Sequence, residues 1–149
     1  MTGNTKQFST FFIGDRMYGI DVMKVQEVTK SLVMTKIPMA PEFVYGLINL
    51  RGQIATAIGL SDLFEISEKD NNEKMNVICN IDGLLLSLQV DRIGDVVYVE
   101  EGQFEPTPET ISPKVRRFME GVYKLPGALL SVIEVDKLSK FIQKVSSEN

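Results

Sequence analysis

The side chains that carry most protein chemistry are scarce in this chain of 149 residues, which has no histidine and one cysteine. Without histidine there is no Ser-His or Cys-His nucleophilic pair, no His-ligated metal site and no histidine to carry a phosphoryl group. The lone Cys79 excludes an internal disulfide and a thiolate zinc site. It lies in the apolar run Val77-Ile78-Cys79, where a buried, reduced thiol is expected. Carboxylates number 20, and the pairs Glu100-Glu101 and Asp91 with Asp95 invite a glycoside-hydrolase reading. Nothing around them predicts the pocket that raises a carboxyl pKa for acid/base work, so a solvated surface is expected. Asp70-Asn71-Asn72-Glu73 lacks the ligand spacing and turn glycine of a calcium loop. Neither glycine-rich phosphate cradle, GxxxxGK[ST] or GxGxxG, occurs. The residues predict no catalyst, no cofactor and no metal.

Arg51 has a different potential. It stands beside Gly52-Gln53, between two short apolar runs that read as a hairpin. A planar guanidinium at a rigid hairpin tip can grip a partner's carboxylate or backbone carbonyl. An arginine beside a turn is more often plain solvated surface, and position alone does not separate the two.

The composition is that of a packed globular chain, 44% hydrophobic and 24% charged. Its length suits one compact domain, or two small subdomains sharing a core. A net charge of -4 argues against a broad nucleic-acid surface or direct contact with anionic membranes. The polar start, Met1 to Gln7, shows no signal-peptide pattern, and no apolar run approaches the roughly 20 residues of a membrane helix. With one cysteine, the expected setting is the cytoplasm.

The elements that must position these residues are mostly strands. Phe8–Ile13 and Tyr18–Val22 read as a hairpin around Gly14-Asp15-Arg16. Val22, Val25 and Val28 admit a helical turn, but their β-branching favours an irregular strand. After Pro38 and Pro41, Gly46–Arg51 and Ile54–Ile58 form the second hairpin, with Gly52 first in a two-residue type II′ turn. The period of two puts Ile48 and Leu50 on one face, and Leu47, Asn49 and Arg51 on the other. Ser61–Phe64 reads as a helical turn and Lys69–Lys74 as a polar loop. Asn76–Ile81 and Leu84–Asp91 flank an Asp82-Gly83 turn, the second arm alternating as a half-buried strand does. Val96–Val99 is a strand, and Pro106, Pro108 and Pro113 mark an irregular connection. Val122–Leu125 and Ala128–Ile133 surround a type II Pro126-Gly127 turn. Asp136 then caps a helix bearing Val135, Leu138, Ile142 and Val145. Residues 1–7 are expected to be flexible and 146–149 to fray, around a single domain over 8–145.

Several segments resemble the CheW-type chemotaxis coupling proteins. Tyr18-Gly19-Ile20-Asp21-Val22 followed by Val25-Gln26-Glu27-Val28 is similar to their YGIDI…VQEI signature. Ile37-Pro38, Ala40-Pro41-Glu42-Phe43-Val44 and Gly46 to Gly52 are similar to the proline-flanked block that ends in N-L-R-G, the most specific of the matches. Val90-Asp91-Arg92-Ile93 and Glu134-Val135-Asp136-Lys137-Leu138 resemble the later VDxV and closing LDIEKLL elements.

The resemblance implies a mainly β fold of two packed, SH3-like five-stranded barrels with a C-terminal α-helix. It implies a non-catalytic scaffold that joins a chemoreceptor's cytoplasmic tip to a sensor histidine kinase, through that kinase's own CheW-like regulatory domain. Carried over by motif, the receptor-binding residues are Arg51, Gly46, Asn49, Val25, Glu27 and Met75, and the kinase-binding residues are Val22 and Val25. The protein would reach membrane receptor arrays only through its partners. Three positions depart from the family pattern: Thr56 stands where proline is usual, Gly59 where aspartate is, and Glu134 where the closing motif has aspartate. The first two fall in the strand after the N-L-R-G hairpin, which opens the alternative of a divergent adaptor for another two-component pathway. A single-strand nucleic-acid barrel is the alternative of a different class, disfavoured by the charge.

Overall fold

The computed structural model describes residues 4–30, 32–66 and 73–147. They build two five-stranded sheets. The first contains β1 (Thr5–Ile13), β2 (Arg16–Asp21), β8 (Arg92–Glu100), β9 (Met119–Leu125) and β10 (Ala128–Ile133), in the order β8-β1-β2-β10-β9. The second contains β3 (Val25–Lys30), β4 (Val44–Leu50), β5 (Gln53–Gly59), β6 (Met75–Ile81) and β7 (Leu84–Val90), in the order β3-β6-β7-β5-β4. The middle of the chain therefore makes one sheet, and its two ends meet to make the other. Neighbours pair antiparallel except β2 with β10 and β5 with β7, which run parallel. No ladder joins β3 to β4 or β8 to β9 among the described residues, so the backbone bonds define two packed sheets without closing either as a barrel.

One core holds the sheets together. Phe11, Tyr18 and Ile20 from the first sheet share it with Ile58, Val77, Leu86 and Leu88 from the second. Burying each such side chain stabilises the fold by roughly 1.5–3 kcal/mol before entropy is counted. Leu138 and Ile142 of the C-terminal helix α3 (Val135–Ser147) add to the same core. Smaller clusters lie around Tyr123 and Leu130 in the first sheet, and around Ile48 and Leu85 in the second. Asp91, where the chain crosses between sheets, is buried. Its carboxylate accepts from the backbone N–H of Gly14 at 2.7 Å and from Lys74 Nζ at 2.6 Å.

Several expectations change. β7 is buried on both faces, because it is the central strand of its sheet: Ser87 is fully enclosed and donates to Asn76. Val22 leaves the strand for a 3-10 turn, Val22–Lys24, whose first free N–H, that of Met23, is accepted by the Asp21 carboxylate at 2.9 Å. Strand β3 begins only at Val25. Asp136 lies inside the first turn of α3 rather than capping it, and the Glu134 carbonyl accepts the first helical N–H bonds. The proline-rich connection holds a short helix α2 (Pro113–Arg116), started by the Ser112 side chain with proline in the first turn. β1 begins at Thr5, inside the segment expected to be loose, because Thr5–Gln7 pair with β8. Ser146 continues α3, while most of the expected polar loop and residues 148–149 lie outside the described residues. The Gly127 φ of +75° fits the expected type II turn.

Candidate functional site

The hairpin of β4 and β5 turns one residue earlier than its sequence suggests. Leu50 pairs with Gln53, so the two turn residues are Arg51 and Gly52, with φ of +51° and +88°. Two left-handed residues make a type I′ turn, not type II′. An L-residue resists that conformation, and Asn49 offsets the strain: its Oδ1 accepts from the Gly52 N–H at 2.9 Å. Asn80 does the same for Gly83 at 2.9 Å, in a turn where Asp82 and Gly83 have φ of +51° and +92°. Because β5 and β7 pair in parallel with Ala55 opposite Leu85, the two turns emerge side by side at one end of the sheet. The N-x-x-G spacing common to both was the available signal for the turn type.

From this tip Arg51 donates to the Glu27 carboxylate, and Glu27 in turn holds the guanidinium more firmly charged. The contact spans the two edge strands of the second sheet, β3 and β4, which share no ladder. A register shift in β3 between Val25 and Glu27 re-aims Glu27. Gln26, the residue between them, accepts from Asn80 Nδ2 at 3.3 Å. Arg51, Glu27 and the adjoining Val25 thus belong to one locality, with Val25 half-buried against the shared core.

The remaining expected site residues behave differently. Asn49 is exposed but committed to building the turn. Gly46 lies where the backbone of Thr35 bridges to Leu47, and a Cβ there would sit 2.5 Å from the Thr35 carbonyl oxygen. Met75 opens β6 and packs on the core, a strand length of about 20 Å from the end that carries the turns. Val22 is half-buried in the 3-10 turn between the sheets. Its neighbour Met23 is 85% exposed, and Ile54 beside the hairpin tip is 57% exposed. Sequence reasoning missed both, because an apolar residue next to a strand reads as core.

The two departures in β5 have local consequences. The Tyr45 ring covers Gly59 so closely that a Cβ would meet it at 2.0 Å. The Tyr45 hydroxyl donates to Asp62 Oδ2 at 2.6 Å, and burial with that carboxylate raises its pKa to about 12. Aspartate at position 59 is incompatible with this ring, and Asp62 supplies a carboxylate three residues on. Thr56 lines a shallow apolar groove with Ile37, Met39 and Val44.

Among the described residues no carboxyl made a weaker acid lies in a substrate-sized pocket. Glu120 is made a weaker acid, chiefly by burial and then by Glu134, but it borders a depression of only about 60 Å³. A substrate pocket is several times larger. Among the described residues no cluster of ligands could hold a metal, and no helix is long and apolar enough to cross a membrane.

Comparison with known proteins gives one consistent answer. A family model described as CheW-like domain matches residues 7–143. The chain is 33% identical to a chemotaxis protein CheW of Treponema pallidum, over 99% of this chain and 92% of that one. It is 31% identical to a chemotaxis protein CheW of Klebsiella aerogenes, covering 89% and 81% of the two chains. Its fold is similar to the crystal structure of the scaffolding protein TtCheW from Thermoanaerobacter tengcongensis, with a TM-score of 0.79, 34% identity and coverage of 87% and 89%.

Proposed function

This chain belongs to the CheW-like domain family as a non-catalytic chemotaxis coupling adaptor, and on that premise we propose that it links a chemoreceptor's cytoplasmic tip to a sensor histidine kinase. The Arg51 hairpin grips the helical receptor tip, with Glu27 and Val25 beside it. The 3-10 turn carrying Val22, joined by its exposed neighbour Met23, meets the CheW-like regulatory domain of the kinase. Apolar contact supplies most of the affinity, and Arg51 supplies orientation.

The observation that carries this reading is the Arg51–Glu27 pair. It fixes a guanidinium on an exposed hairpin tip, in the part of the chain that matches the family's most specific motif. A prefixed cation loses less freedom on binding than a mobile one. The adaptor reaches receptor arrays through these contacts and not through a membrane segment of its own.

Two partners on two surfaces must bind together. Binding of a receptor-tip fragment and of the kinase regulatory domain is to be measured separately and in mixture. A ternary complex, with each affinity little changed by the other partner, is expected. Mutually exclusive binding would contradict two separate surfaces.

A further inference from the structure

Away from the hairpin, a cleft of about 550 Å³ opens between the β1–β2 turn, α2 and the end of α1 (Leu60–Leu63). That volume lies within the range of small-molecule sites. Its walls include Ile13, Phe64, Ile66 and Val115, all apolar. Tyr18 also lines it; the residue is 2% exposed, and its ring packs 5.9 Å from the Phe11 ring and 5.6 Å from the Phe64 ring. The Tyr18 hydroxyl has no hydrogen-bond partner among the described residues. No fully buried side-chain oxygen there is left unpaired, so this one keeps some exposure, and Tyr18 is among the residues that line the cleft.

The rim sets what the hydroxyl would receive. Lys114 and Glu65 neutralise each other at 2.5 Å. Asp15 and Arg16 remain, and Arg16 is the charge whose field reaches the phenol, acting against the effect of burial. An anionic acceptor beside Tyr18 is therefore favoured, while Asp15 on the same rim penalises a second negative charge.

We propose that this cleft binds a small apolar monocarboxylate, its carboxylate accepting from Tyr18 beside Arg16 and its apolar body resting on Phe64, Ile66 and Val115. The Tyr18 ring is held by its aromatic neighbours, so the donor is already oriented. The partner-binding hairpin contributes no residue to this cleft, so the two readings stand or fall separately.

The test is a titration of the full chain with 3-phenylpropionate, followed by amide shifts in NMR. Saturable shifts confined to residues 13–18, 64–66 and 112–115 are expected. The neutral 3-phenylpropanol should bind about tenfold more weakly, the usual worth of one charge-assisted hydrogen bond. Tyr18→Phe should weaken the carboxylate by about the same factor. Arg16→Gln, at the exposed first residue of β2 and outside the core, should act in the same direction. Absence of saturation up to the solubility limit, equal binding of acid and alcohol, or unchanged affinity in a folded Arg16→Gln protein would overturn the proposal.

Discussion

Arg51 donates to Glu27 across 24 residues of sequence, tying the tip of the β4–β5 hairpin to the edge strand at the far side of the same sheet. Neither residue is fixed by its own element alone. Arg51 occupies a left-handed turn position that Asn49 stabilises, and Glu27 is turned towards it by the irregularity in β3. The pair is exposed, so its effect lies in orientation more than in stability.

Glu27→Gln tests that orientation. It removes the charge and keeps the length, and receptor-tip affinity should fall by roughly threefold to tenfold. Adding it to Arg51→Ala should cost little more, because both substitutions break one interaction. Calorimetric binding of the wild type, both single variants and the double variant checks this, and strictly additive losses would show the pair to be uncoupled.

Gly46→Ala separates framework from contact. Its Cβ would press on the Thr35 carbonyl, which is backbone and cannot swing aside. A destabilisation of about 1–3 kcal/mol is expected in urea unfolding. A variant of unchanged stability with weakened receptor binding would instead make Gly46 a direct contact.

Tyr45 and Gly59 should be energetically coupled. Tyr45→Phe removes the hydrogen bond to Asp62 and should cost about 1 kcal/mol or less. Gly59→Ala should destabilise the native chain clearly more than it destabilises a Tyr45→Ala background, where the ring no longer covers the glycine. Equal effects in the two backgrounds would mean that the backbone, not the ring, resists the methyl group.

Burial pushes the Cys79 thiol from an ordinary 9.0 to about 12. The folded state therefore keeps its proton after the unfolded chain has lost it. The resulting stability is complete below about pH 9 and declines as pH rises towards 12, by at most about 1.4 kcal/mol per unit. Unfolding measured from pH 8.5 upward should show this slope, and Cys79→Val should flatten it below about pH 10, where tyrosines begin to contribute. An identical slope in the variant would assign it to other groups.

Strand positions and the identity of the important hairpin were legible because alternation and turn residues are local signals. Ile48 and Leu50 are buried as their period requires, and Cys79 is enclosed in its strand. The burial of both faces of β7 was not legible, since it depends on β5 arriving in parallel from elsewhere in the chain. The partnership of Arg51 with Glu27 was hidden for the same reason, although both residues were singled out separately. Gly46 and Asn49 were singled out as contacts, and only the folded chain reveals how much framework they carry: one accommodates Thr35, the other closes the turn. Met23 stayed unnoticed because its exposure arises from a 3-10 turn between sheets.

The measurement that bears most directly on the adaptor mechanism is Arg51→Ala, assayed separately against a receptor-tip fragment and the kinase regulatory domain. Arg51 is exposed at the hairpin tip, so the variant should fold normally. Receptor affinity is expected to fall by about tenfold or more, with kinase affinity within about twofold of wild type. Unchanged receptor affinity in the folded variant would contradict the assignment of this hairpin to the receptor.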